Sequence, residues 1–184
     1  MERRLSGIFE NPRVYKVTRL LILALLLIYA IGVSLLIDFY TPTKRLVTIN
    51  GGEVKRVDKD GIISANNPAD GPTRDVFFVF TSTEENTTLV YRNEDTGWGF
   101  PPYFKFNSAD LQANINILDE NKSAAIVSSY GWRIQMLSMF PNILKIQSDD
   151  ALRWSIVRIL FFTLHLVGFG LVAYRLRRWF LNRH

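Results

Sequence analysis

The chain contains no cysteine and only two histidines, His165 and His184. Without cysteine there is no disulfide framework and no thiolate to act as nucleophile or ligand. Neither histidine falls between residues 38 and 152. That excludes a Ser-His-Asp triad, a Cys-His pair and a zinc site built on His or Cys from the centre of the chain. No glycine-rich phosphate loop follows a candidate strand. Acidic groups are also missing from one end: residues 153–184 carry six basic groups and no acidic ones. What remains open to the centre is carboxylate chemistry, calcium, or binding.

What the chain does have is two long apolar runs. Leu20 to Ile37 holds 18 consecutive residues without a charge, roughly 27 Å of helix and close to the hydrocarbon thickness of a bilayer. Residues 159–174 give a second run of 16, and extending it back to Trp154 makes a full crossing, with Arg158 free to snorkel. The first run outlasts a signal-peptide core and continues past the small residues Ala30 and Gly32, so it is expected to stay as an anchor. Residues 1–37 carry five basic and two acidic groups, against eleven basic and fifteen acidic in 38–152. Cations flanking apolar runs follow the positive-inside rule, and the mildly acidic centre speaks against a nucleic-acid partner. The expected topology is a basic cytoplasmic tail (1–19, broken by Pro12), a first span (20–38), a periplasmic domain (39–152), a second span (153–174) and a basic cytoplasmic tail (175–184). The bilayer is then the first partner.

The centre reads as α+β, with about five or six strands and one or two helices. KRLVTING (44–51) and EVKRVD (53–58) flank Asn50-Gly51-Gly52, which predicts a hairpin. A Gly, Pro, Asn and Asp-rich loop follows (59–73). DVFFVFTST (75–83) predicts a strand buried on both faces, and TTLVYRN (87–93) its hairpin partner. Residues 107–121 predict a helix capped by Asn107 or Ser108, with Leu111, Ile115 and Leu118 on one face. SAAIVSSYGW (123–132) and ILKIQ (143–147) predict two more strands, with a short helix at 134–140 between them.

Few residues carry chemistry. DKDG (58–61) begins like a calcium loop but lacks the later oxygen ligands, so a turn is expected and no metal or cofactor. Asn86-Thr87-Thr88 and Asn121-Lys122-Ser123 match the glycosylation sequon, which matters only in a eukaryotic secretory pathway. His165, mid-span, is expected to hydrogen-bond to the first span at Tyr29 or Ser34, with Ala30 and Ser34 as a small-xxx-small contact; ligation of a metal or haem is the alternative. The most unusual stretch is RNEDTGWGFPPYFKF (92–106). Trp98 between Gly97 and Gly99, Tyr103, and the charged Arg92, Glu94 and Asp95 could form an aromatic platform with a polar edge, joined by Trp132 and Arg133. The plainer reading is a structured loop whose rings plug the core or rest on the membrane interface. Glu94 and Asp95 as a paired-carboxylate hydrolase is disfavoured, because sequence neighbours rarely face each other across a scissile bond.

VYRNEDTGWGFPPYFKFNSADLQA (90–113), SYGWRIQMLSMFPN (129–142) and TRDVFFVFT (73–81) together resemble a bacterial family of uncharacterised proteins, domain-of-unknown-function family 1523. The resemblance implies a span at each end and a periplasmic middle, though the basic tail here is longer than the family's. It implies no activity, substrate or catalytic residue. The expected function is non-enzymatic: a two-span inner-membrane protein whose periplasmic domain binds or scaffolds a partner, as an accessory part of a membrane complex. A periplasmic ligand sensor using the aromatic platform is the alternative, and an envelope carboxylate hydrolase a second one.

Overall fold

The computed structural model describes residues 12–59, 61–148 and 154–181. Arg3, Arg4 and the rest of the tail to residue 11, Asp60 of DKDG, the boundary at 152–153 and the last three residues lie outside them. The described residues form three α-helices and one six-stranded sheet, an α+β fold. They divide into two units: residues 1–37 with 161–184, and residues 38–160.

The first unit contains most of two apolar helices, α1 (Pro12–Tyr40) and α3 (Ile156–Leu181). Both are long and apolar enough to cross a membrane. Pro12 does not break the tail. It opens α1, where a missing N–H costs nothing, so residues 12–19 continue into the apolar run as one helix. Within this unit the Tyr15 hydroxyl donates to the Phe180 carbonyl at 2.9 Å, and His165 Nε2 lies 3.2 Å from the Ala30 carbonyl oxygen. Going from Tyr15 to Ala30 moves forward along α1, while their partners step backward along α3. The two helices therefore run antiparallel over roughly 22 Å.

The second unit holds the sheet. β1 (Thr43–Asp58) is one continuous strand of 16 residues, which corrects the hairpin expected at Asn50-Gly51-Gly52. Those residues form a β-bulge: Ile49 pairs with Thr81 and Gly52 with Val79, so Asn50 and Gly51 together oppose Phe80. A bulge bends a strand, and here the first half of β1 pairs with β5 (Ala124–Tyr130) and the second with β3 (Arg74–Ser82), Thr48 being shared. β3 turns into β4 (Thr88–Asn93), as its hairpin spacing predicts. α2 (Ser108–Glu120) leads to β5, which pairs with β6 (Asn142–Ser148). β2 (Gly61–Ile62) is a two-residue addition to the end of β1.

Without β2 the strand order is β1-β3-β4-β6-β5, and β5 returns to β1, so the sheet closes. β4 and β6 meet in parallel at a single residue pair, Arg92 with Asn142. A five-stranded Greek-key barrel with one loose seam and a helix between its third and fourth strands is the OB architecture. Its interior is filled by Val47, Ile49, Phe77, Val79, Val127 and Ile143, closed by Leu111 and Ile115 of α2. The alternate residues Val76 and Phe78 face the other way and form a second cluster with Val57, against Phe140. This is why β3 reads as an unbroken apolar run. The helix expected over 134–140 is only a 3-10 turn, Gln135–Leu137, within a loop that folds back so that Met139 bonds to Ile134.

Candidate functional site

The outer face of β3 and β4 lies between the loop 59–73 and the loop 131–141. Here a cleft of about 220 Å³ is lined by Ile62, Val76, Phe78, Arg92, Trp132 and Phe140. Arg74 and Glu94 complete its polar side. The Glu94 carboxylate is held by both arginines, 2.9 Å from Arg74 Nε and 3.0 Å from an Arg92 terminal nitrogen. Glu94 is only a fifth exposed, the Arg74 side chain is mostly exposed, and the three-charge group carries a net positive charge. Arg92 Nε is buried with no hydrogen-bond partner among the described residues.

Trp132 is fixed from two directions. Its indole N–H donates to Asp38 Oδ2 at 2.7 Å, and its ring meets Phe39 edge-on at 5.1 Å. Asp38 also pairs with the guanidinium of Arg158, which donates to the Asp38 carbonyl at 3.3 Å as well. Gly131, with φ of +93°, donates its N–H to the Phe39 carbonyl at 2.9 Å. A side chain is strained in that conformation, so the YGWR turn depends on glycine. Arg133 leaves the cleft: its guanidinium stacks 4.1 Å over the Phe140 ring and donates to the Met139 carbonyl.

The other candidates do not join this site. Trp98 is 83% exposed, and its ring meets Phe104 and Phe106 of its own loop at 5.6 and 5.4 Å. Tyr103 donates its hydroxyl to the Tyr40 carbonyl and lies 4.9 Å from Tyr130. Burial, then the neighbouring Tyr130, pushes its phenol up to about 12. Asp95 caps α2: its carboxylate accepts from the Ser108 N–H at 2.9 Å and the Ser108 hydroxyl at 2.7 Å. Asn107, at the cap position, makes no such bond, so the expected cap is supplied from thirteen residues upstream. The platform expected from Trp98, Tyr103 and Trp132 is thus divided, with Arg92, Glu94 and Trp132 together and the rest apart. In the first unit, His165 meets the backbone of Ala30 rather than the side chain of Tyr29 or Ser34.

Reading the sequence missed three residues. Asp38 is read as the end of the span and Lys105 as part of a loop, and Arg74 falls between the expected loop (59–73) and strand (75–83) with no role. Lys105 is 95% buried, donating to Asn93 Oδ1 at 2.5 Å and to the Glu94 carbonyl at 3.1 Å. Burial lowers its ammonium to about 8, against the opposing pull of Asp95 and Glu94. The one available signal was its position as a single charge between Phe104 and Phe106. Among the described residues, no three His, Asp or Glu side chains gather where they could hold a metal ion.

Comparison with known proteins adds lineage and no chemistry. A family model described as "Protein of unknown function (DUF1523)" matches residues 17–180. An uncharacterized protein of Haemophilus influenzae is 42% identical over 147 residues, covering 78% of this chain and 84% of its own. No solved structure matches the chain.

Proposed function

Because the chain belongs to the DUF1523 family, whose description assigns no activity, we propose a function from its own geometry: a two-span inner-membrane protein whose periplasmic barrel binds a partner or ligand without transforming it. Two features support the membrane part. The helices α1 and α3 are apolar all round, and almost none of their apolar windows is buried against protein. A helix of that kind needs lipid as its solvent. Cations at Arg13, Lys16 and Arg19, and again at Arg175, Arg177 and Arg178, favour a cytoplasmic placement of both flanks.

The observation that carries the binding part is the position of the cleft. OB barrels take their ligands, oligosaccharides among them, on the face of the second and third strands between two flanking loops. This cleft occupies that face, with aromatic rings beside a net-positive polar group. The likeness is one of fold, and Arg92, Glu94 and Trp132 give it content. Glu94 is engaged by two arginines and Asp95 by α2, which is why hydrolysis is not proposed. The test is a photo-crosslinking residue at Leu137, which lines the cleft and is 65% exposed, in native membranes. A discrete adduct from position 137, absent from a probe at the exposed turn residue Glu85 and lost on Arg92→Ala, is expected. No difference between the two positions would refute the site.

A second reading, an accessory subunit of a membrane complex, is favoured by the exposed apolar faces of both helices. Blue-native electrophoresis of mild-detergent extracts separates it from a free monomer by size.

A further inference from the structure

Four aromatic side chains of one loop are exposed: Trp98 at 83%, Phe100 at 75%, Phe104 at 54% and Phe106 at 56%. A single exposed ring needs no explanation, but four on one short loop do. The loop is not loose. The Gly97 N–H donates to the Lys105 carbonyl, the Lys105 N–H to the Thr96 hydroxyl, and the Gly99 N–H to the Thr96 carbonyl. The buried Lys105 ammonium pins the same turn from inside. Trp98 rests against Phe104 and Phe106, so three of the rings form one rigid patch.

Where this loop is fastened decides what covers it. Phe100 packs edge-on against Tyr40 at 4.8 Å, and Tyr103 donates to the Tyr40 carbonyl. Tyr40 is the last residue of α1 and stands three residues past Ile37, the end of the charge-free run. Three residues of chain reach at most about 11 Å even when fully extended. The loop is therefore tied, through its contacts with Tyr40 and the three residues of chain before it, to the end of the charge-free run. Trp favours the depth of the membrane interface, and Phe beside Trp is typical of the lipid-facing side of interfacial segments.

We propose that the loop 96–106 is a membrane-interface foot: Trp98, Phe100, Phe104 and Phe106 insert among the headgroups and upper acyl chains of the bilayer that α1 crosses. The occupant is lipid rather than protein, because the patch is purely aromatic, carries no free charge to select a partner, and continues the boundary that Phe39 and Tyr40 begin. This rests on the two-span reading.

The absence of cysteine makes the test direct. Single cysteines replace Trp98, Met136 and Ile28 in the full chain, each carries a nitroxide, and the proteins are reconstituted in phosphatidylethanolamine–phosphatidylglycerol vesicles. Collision with oxygen and with a water-soluble nickel chelate reports depth. The expected result is nickel access at position 98 severalfold below that at Met136, which is 96% exposed on another loop, with oxygen access raised. Nickel access equal to that at Met136 overturns the proposal. Protection from both reagents also overturns it, because a protein partner or second copy then covers the rings. Ile28 separates the two readings: if it is shielded from nickel while position 98 is not, only the foot fails; if Ile28 itself is open to nickel, the two-span reading fails and takes the foot with it. In the otherwise unaltered chain, quenching of tryptophan emission by brominated lipid should drop on Trp98→Tyr, which replaces the indole by a smaller aromatic ring, and an unchanged quenching overturns the proposal.

Discussion

The side-chain amide of Asn142 pairs with both polar backbone groups of Glu94: its Nδ2 donates to the Glu94 carbonyl at 3.0 Å, and its Oδ1 accepts from the Glu94 N–H at 2.9 Å. One side chain thus imitates a strand at the seam where β4 and β6 share a single residue pair. Asn142 is 2% exposed, so water cannot replace it. Asn142→Ala takes the partner from the Glu94 N–H and one of two donors from the Glu94 carbonyl, which Lys105 still serves, and should cost about 1–3 kcal/mol. The thermal midpoint followed by near-ultraviolet circular dichroism in detergent should fall by roughly 5 °C or more. An unchanged midpoint would show that the seam is held elsewhere.

The same logic applies at α2. Asp95 supplies the cap that Asn107 does not. Asp95→Ala should lose about 1 kcal/mol, within the usual range for a capping residue, while Asp95→Asn, which keeps an acceptor, should lose less. Urea midpoints of the two variants check the order. Equal losses would mean that charge, not the hydrogen bond, is what α2 uses.

These two residues show where sequence reasoning stopped. Strands with alternating or continuous apolar residues, the amphipathic helix and the two apolar runs were legible because their signals are local periodicities. The bulge at Asn50-Gly51 was not, since the same residues serve a hairpin or a bulge and only pairing with two different strands decides. Nor were the roles of Asp95 and Asn142, whose partners lie thirteen and forty-eight residues away. Arg92, Glu94 and Trp132, which line the cleft, stand out in the sequence because charges beside aromatic rings are visible locally. Asp38 and Arg74 were hidden because their partners come from distant strands and loops.

Lys105 gives a pH signature. Its ammonium titrates near 8 when folded, against 10.5 in an exposed lysine. Between those values the unfolded chain holds a proton that the folded chain has released. The unfolded state binds more protons, so this group adds stability as pH rises from about 8 to 10.5. Below about 8 both states are charged, and the cost of burying the ammonium is present in full. Stability of the parent chain minus that of Lys105→Met should therefore climb across this window, by roughly 3 kcal/mol at most. Denaturant midpoints at stepped pH measure it. A flat difference would mean that the hydrogen bonds to Asn93 and Glu94 keep the lysine charged throughout.

The bend in β1 makes the last prediction. A Cβ built on Gly52 would sit 2.3 Å from Phe77 Cζ and 3.0 Å from the Phe78 carbonyl oxygen. The bulge brings the backbone so close to the core that only hydrogen fits there. Phe77 belongs to the barrel interior, packed with Val79 and Ile115, and has little room to retreat. Gly52→Ala should cost about 1–3 kcal/mol by overpacking. If the clash with the ring is the cause, Phe77→Leu, which lacks the Cζ atom, should relieve part of it. The double variant should then be more stable than the sum of the single losses by about 1 kcal/mol. Strict additivity would shift the cause to the backbone contact with Phe78, and no loss on Gly52→Ala would mean that β1 does not bend here.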